Sequence, residues 1–307
     1  MEMGPRSLMV AEGEISRPVD GGGSPVGHVK GQLKRALGSL ARDKAAYVGL
    51  AIVLIAVIAA ALAPYLATND PLAVDLDNKL SPPSRRYPLG TDHLGRCVYS
   101  RLLYGGRVTI PVAAAALAVI LLIGLPLGAL SGYYGGWLDS VIMRVVDAML
   151  AFPALVLALV IAGMLGPGLV NVALAMVAVW WVEYARLVRG MVLSVKERGF
   201  VQAAISCGAS DARVICRHVL PEVFPAVVVM ATLDMGKLLL AISGLSFLGL
   251  GQQPPAPSWG SMLNTAKNFL AQAPWMAFWP GVAICLVVLG FNLFGDGLRD
   301  ALDPKDR

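Results

Sequence analysis

Six apolar runs, each close to the length that crosses a lipid bilayer, recur along this chain at 45–66, 108–131, 145–165, 169–184, 223–250 and 278–293. A helix needs about 20 apolar residues to span the hydrocarbon core, because a backbone N–H or C=O left unpaired there finds no water. The fourth and sixth runs are short, and tilt or extension into the interface accommodates them. With 57% of residues hydrophobic and only 15% charged, against about 45–50% apolar in soluble domains, soluble globular classes are excluded. The expected fold is an all-α membrane protein of six spanning helices.

Charge sets the expected orientation. Arg186, Arg189, Lys196, Arg198, Arg213 and Arg217 crowd one connection, whereas 252–277 carries only Lys267, and basic residues accumulate on the cytosolic side. An even number of spans then places both termini in the cytosol, in agreement with Lys30, Lys34, Arg35, Arg42 and Lys44 ahead of the first span. The segment 67–107 conflicts with this scheme: assigned outside, it holds Lys79, Arg85, Arg86, Arg96, Arg101 and Arg107 against four aspartates. No basic patch interleaved with aromatics occurs, so nucleic acid is not an expected partner. Cys97, Cys207, Cys216 and Cys285 form no C-x-x-C pair and suggest neither a disulfide framework nor a zinc site.

The polar start resembles no cleaved signal, so the first span is expected to stay as an anchor. Residues 1–28 read as a disordered cytosolic tail. In 29–44, Val29, Leu33, Leu37 and Leu40 recur at helical spacing with basic residues on the other faces, as in an amphipathic helix lying in the headgroup layer. Residues 45–107 form the first span and the extracytoplasmic segment, 108–300 the core of the domain, and 301–307 a cytosolic tail.

Inside the apolar runs a few residues stand out. Gly124, Gly128 and Gly132 fall at four-residue intervals, the spacing that lets helix backbones approach closely, and Pro126 between the first two bends the helix. Asp234 and Lys237 lie one turn apart in the fifth run. Facing lipid, each would cost about 2.5–3.5 kcal/mol, so they are expected to face the bundle interior or a wet passage, as an ion pair, as pathway residues, or both. Gly244-Leu245-Ser246 has the outline of a nucleophile turn, but His28, His93 and His218 all lie outside the runs and leave the serine without a base. No G-x-x-x-x-G-K-[ST] occurs, so this chain does not hydrolyse ATP.

The most informative stretch is polar. Residues 199–221, between the fourth and fifth runs, read as two short helices hinged at Gly208, with Pro221 at the entry to the next span. A membrane protein with a compact elbow on one face and no nucleotide motif is built to be pushed by another protein.

This elbow resembles the coupling motif of permease subunits of bacterial ATP-binding-cassette importers: E-A-A, three residues, G, nine residues, I-x-L-P. Here it reads Gln202-Ala203-Ala204, Gly208, then His218-Val219-Leu220-Pro221, with Gln for Glu at 202 and His for Ile at 218. The likeness extends over nearly everything from Ala45 onward. Pro88-Leu89-Gly90-Thr91-Asp92-His93-Leu94-Gly95-Arg96, Tyr184 to Arg189, Gly244 to Gly251, Trp259-Gly260 and Asn292 to Asp300 are similar to the dipeptide/oligopeptide/nickel branch. Within it, Ala231 to Gly236 and Phe278 to Gly281 lean towards nickel permeases of the C type.

The resemblance implies a six-helix type I importer domain in the bacterial inner membrane, multi-pass and non-catalytic. It also implies a second homologous permease, two ATPase subunits that bind ATP and Mg, and an extracytoplasmic binding protein that selects the cargo. Gln202, Ala203, Ala204, Gly208, Leu220 and Pro221 would couple to an ATPase, and Asp234 and Lys237 would line the pathway. The cargo would be nickel or a nickel chelate, with dipeptide, oligopeptide or metallophore uptake as the alternative. If nickel passes, Asp92, His93 and Cys97 are candidate transient ligands, since imidazole and thiolate suit that metal, although turn chemistry alone explains Asp92. An ion-coupled secondary carrier is the rival from another class; it should show an inverted repeat and ion-binding clusters in broken spans.

Overall fold

In a computed structural model the chain is described over residues 43–302, and every regular element there is helical. The expected tail at 1–28, nearly all of the expected interfacial helix at 29–44, and 303–307 lie outside the described residues. Helix α1 (Lys44–Ala61) starts where the Asp43 carboxylate accepts from the Ala45 N–H at 2.9 Å, a side-chain cap for an otherwise unpaired donor. Its apolar run continues as the single turn α2 (Ala63–Leu66), separated because Pro64 has no N–H to extend the ladder.

Helix α3 (Val98–Tyr134) begins well before the apolar run and spans 37 residues. Beyond it the expected single third span is broken: α4 (Gly136–Leu150) and α5 (Ala154–Leu165) meet at 89°. Pro153 is the cause, since it disfavours helical geometry at Phe152 and cannot bond back into α4. The span expected to be short at 169–184 is a 28-residue helix, α6 (Leu169–Lys196). Hydropathy falls at Glu183, Arg186 and Arg189, but the backbone ladder does not. Then come α7 (Gly199–Ser206), α8 (Asp211–Val214), a π-helical turn (Ile215–Val219), α9 (Leu220–Phe247), the short α10 (Trp259–Ala266) and α11 (Trp275–Leu302). Among the described residues five helices are long and apolar enough to cross a membrane, and there are six if the bent pair is counted as one span.

The core is built on close approach. A Cβ at Gly124 would lie 2.7 Å from Tyr184 Cβ, at Gly128 2.5 Å from the Ala185 carbonyl, and at Gly132 2.8 Å from the Arg189 carbonyl, so the glycine stripe of α3 seats directly on the α6 backbone. Helix α11 packs between α1 and α9: Gly290 lies against Gly49, Gly297 against Ala46 and Gly295 against Leu233. The first and last described turns are thus neighbours, on the face of the bundle that also carries the elbow.

On the opposite face, 67–97 folds into a cap that, with the first turn of α3, buries two of the six basic residues of 67–107. Arg96 Nε donates to Asp92 at 2.7 Å, and Arg101 Nε lies 3.6 Å from the same carboxylate, all three side chains being 7% exposed or less. Arg101 also donates to the carbonyls of Pro71 at 2.9 Å and Pro255 at 3.3 Å. These arginines are fasteners within the fold and carry little topological information.

Candidate functional site

The elbow is turned by Gly208, whose φ of +79° is open to glycine and strained for other residues. Only its first arm is a separate helix. The second, α8, runs through the π turn into α9, correcting the expectation of two short helices before the span. The π turn fits Pro221: the Leu220 N–H reaches five residues back to the Ile215 carbonyl, and this shift of register accommodates a residue that has no donor.

Val201 anchors α7, fully buried, while Phe200, Gln202, Ala203 and Ile205 are exposed. Gln202 Nε2 donates to the Lys196 carbonyl at 2.9 Å, closing the C-terminus of α6; a glutamate carboxylate has no proton to give there, so the departure from Glu is used locally. Ala204 is half-buried and accepts from the Ala209 N–H at 3.1 Å across the turn. Leu220 and Pro221 are half-buried at the base of α9. The elbow is tied to α3 as well: Tyr133 donates to Asp211 at 2.9 Å, and Lys196 to the Tyr133 carbonyl at 2.7 Å. Arg198 pairs with Glu222 at 2.8 Å.

The second polar centre lies about midway along α6 and α9. Asp234 is buried at 3% side-chain exposure and both oxygens are taken, one by Lys237 Nζ at 2.9 Å and one by Tyr184 OH at 2.9 Å. The i, i+3 ion pair therefore forms. Lys237 nevertheless keeps 66% of its side chain exposed. Glu183, next to Tyr184, is also exposed, and the reading of the sequence passed over it. The signal was available, since Glu183 is the only charged residue within 169–184.

Asp92, His93 and Cys97 go to other duties. Asp92 is held by two guanidinium groups, His93 stacks on Phe269 with ring centroids 5.3 Å apart, and Cys97 is buried at the start of α3. Among the described residues, no three His, Cys, Asp or Glu side chains gather as a metal site. Ser246 is buried and turned onto its own helix, donating to the Ile242 carbonyl at 2.7 Å.

Residues 124–307 match the family described as "Binding-protein-dependent transport system inner membrane component". The chain belongs to that family. Residues 31–83 match the "N-terminal TM domain of oligopeptide transport permease C". The chain is 42% identical to the dipeptide transport system permease protein DppC of Alkalihalophilus pseudofirmus, over 89% of this chain and 90% of that protein. It is also 42% identical to the nickel transport system permease protein NikC of Escherichia coli K12, over 84% of this chain and 94% of that protein. The glutathione transport system permease protein GsiD of Pectobacterium atrosepticum is 43% identical, over 83% of this chain and 84% of that protein. The binding-protein-dependent permease family makes this chain a non-catalytic, multi-pass subunit of a bacterial ABC importer, which removes the ion-coupled carrier. Partner ATPase, permease and binding-protein subunits follow from the family. The lean towards nickel finds no preference, because dipeptide and nickel permeases are equally similar.

Proposed function

We propose that this chain forms half of the translocation pathway of an ATP-driven importer and is moved through the elbow at 199–221 by a separate ATPase subunit that holds the ATP and Mg. The observation that carries this reading is mechanical. Helix α7 exposes two apolar side chains, Phe200 and Ile205, while the helical path from Asp211 to Phe247 links the elbow to Asp234 and Lys237, about 20 Å above Leu220. A push on α7 is delivered to α9 directly and to α3 through Tyr133 and Asp211. The elbow faces the cytosol, and the cap at 67–97 faces the binding protein.

The cargo is a small charged molecule, a short peptide in the first reading, because opposite charges meet at mid-membrane and a dipeptide permease is among the similar proteins. Nickel or a nickel chelate is the second reading, favoured by the equal likeness to a nickel permease. Cys207 and Cys216 are exposed native reporters of sidedness. A membrane-impermeant maleimide is expected to label them in inside-out vesicles, with Cys207 protected once the ATPase is bound. Labelling in right-side-out vesicles would overturn the orientation, and unchanged labelling of Cys207 in the assembled complex would overturn the docking. Uptake of radiolabelled dipeptides and nickel by the reconstituted complex decides the cargo.

A further inference from the structure

Glu183, midway along α6, is in none of the ion pairs found among the described residues. It lies about 20 Å from each end of α6, and Asp234 about 20 Å from each end of α9. The Tyr184–Asp234 hydrogen bond ties the two helices at that level, so both carboxylates sit near the middle of the membrane. Asp234 is satisfied by Lys237 and Tyr184. Glu183 is exposed, and the charges it senses are Asp234 and Lys237. Its helical neighbour Arg186 is engaged elsewhere, with Asp147 at 2.5 Å. Two carboxylates and one ammonium give the cluster a net charge of −1 when all are ionised. Lys237 spends one donor on Asp234 and keeps two of its three for whatever lies in front of it.

An exposed carboxylate and an exposed ammonium at this depth do not face hydrocarbon, where each is costly. Along the same side of α9 the surface stays open: Gly244, two turns beyond Lys237, is exposed and a Cβ there would meet nothing within 4 Å, while Leu240 between them is exposed as well. We propose that Glu183 is a specificity-determining residue of the passage, an acceptor-only group that draws the positively charged part of the cargo to mid-membrane while Lys237 meets its negative part. This rests on the importer reading above. Two sources share the required chemistry, a peptide carrying ammonium groups and a divalent metal ion.

The test uses the complete reconstituted complex with one binding protein throughout, so that cargo selection before the membrane is common to all variants. ATP-dependent uptake of radiolabelled Ala-Lys, Ala-Ala, Ala-Glu and nickel(II) is compared in wild type, Glu183→Gln and Glu183→Asp. For a peptide importer, Glu183→Gln lowers Ala-Lys and raises Ala-Glu relative to Ala-Ala, so that their ratio falls by about three- to tenfold, and Glu183→Asp restores most of it. For a metal importer, nickel uptake falls in Glu183→Gln and recovers in Glu183→Asp. A structural role moves all cargoes together and not in opposite directions. Unchanged ratios in a peptide-transporting complex, or unchanged nickel uptake in a nickel-transporting one, would overturn the proposal. So would loss of the sister permease from Glu183→Gln on copurification, which would make Glu183 an interface charge. Absence of any ATP-dependent uptake in wild type would instead overturn the importer reading.

Discussion

At the scale of single residues, two backbone or burial conflicts have consequences that can be measured. Gly208 holds a left-handed conformation in open space, so a side chain there is opposed by backbone strain alone, about 1–2 kcal/mol. Gly208→Val is therefore expected to insert and assemble normally but to lose most nucleotide-driven uptake while the ATPase still turns over. Wild-type coupling in that variant would contradict the elbow geometry. His93 lies in the cap, its Nδ1 buried without a hydrogen-bond partner and its ring against Phe269. Burial pulls its pKa below the ordinary value, against the raising effect of Asp92. The unfolded chain then takes up a proton first as pH falls, so the stability from a neutral His93 is full above about 6.5 and is lost as pH drops towards the folded pKa. Melting temperature should decline between neutral pH and pH 5, and His93→Phe should flatten that decline.

Between helices, the interaction that matters most is the seat of α3 on α6. The stripe of Gly124, Gly128 and Gly132 meets backbone carbonyls and Cβ atoms that cannot swing away. Gly128→Leu is expected to destabilise the fold by about 1–3 kcal/mol through overpacking, read as a lower melting temperature in detergent. Gly124 abuts Tyr184, and Tyr184 holds Asp234, so displacement of α3 reaches the mid-membrane cluster through one side chain. Asp234→Ala leaves the Tyr184 hydroxyl without its acceptor and Lys237 without its pair. The expected loss is about 1–3 kcal/mol, near the lower end because Lys237 is largely solvated. Asp234→Asn keeps an acceptor for Tyr184 and should recover part of the loss in the same thermal assay.

Across the whole molecule, Arg101 joins parts of the chain far apart in sequence: Pro71 and Asp92 in the cap, and Pro255 beyond α9. With Arg101 and Asp92 both 7% exposed, breaking this contact leaves a buried partner behind. Arg101→Met should cost about 3 kcal/mol, the low end for a broken buried pair, because Arg96 still neutralises Asp92. Limited proteolysis in 67–97 would report the loosened cap, and an unaltered digestion pattern would show that the guanidinium does not hold the cap down.

The chain by itself determined the helical class and the turn at Gly208, because each follows from local rules: the length of an apolar run and the dihedral freedom of one glycine. It also carried the intervals of the glycine stripe and of the Asp234–Lys237 pair. Only the tertiary structure decided which helix receives the stripe, that Pro153 turns a uniform apolar run through 89°, and that α6 continues past its arginines. Two of the arginines of 67–107, Arg96 and Arg101, count little as topological signals because they are buried beside Asp92, a contact made in three dimensions. Glu183 escaped notice for the converse reason. A lone acid in an apolar run stands out in the sequence, but that Asp234 is satisfied while Glu183 stays exposed is decided only by packing.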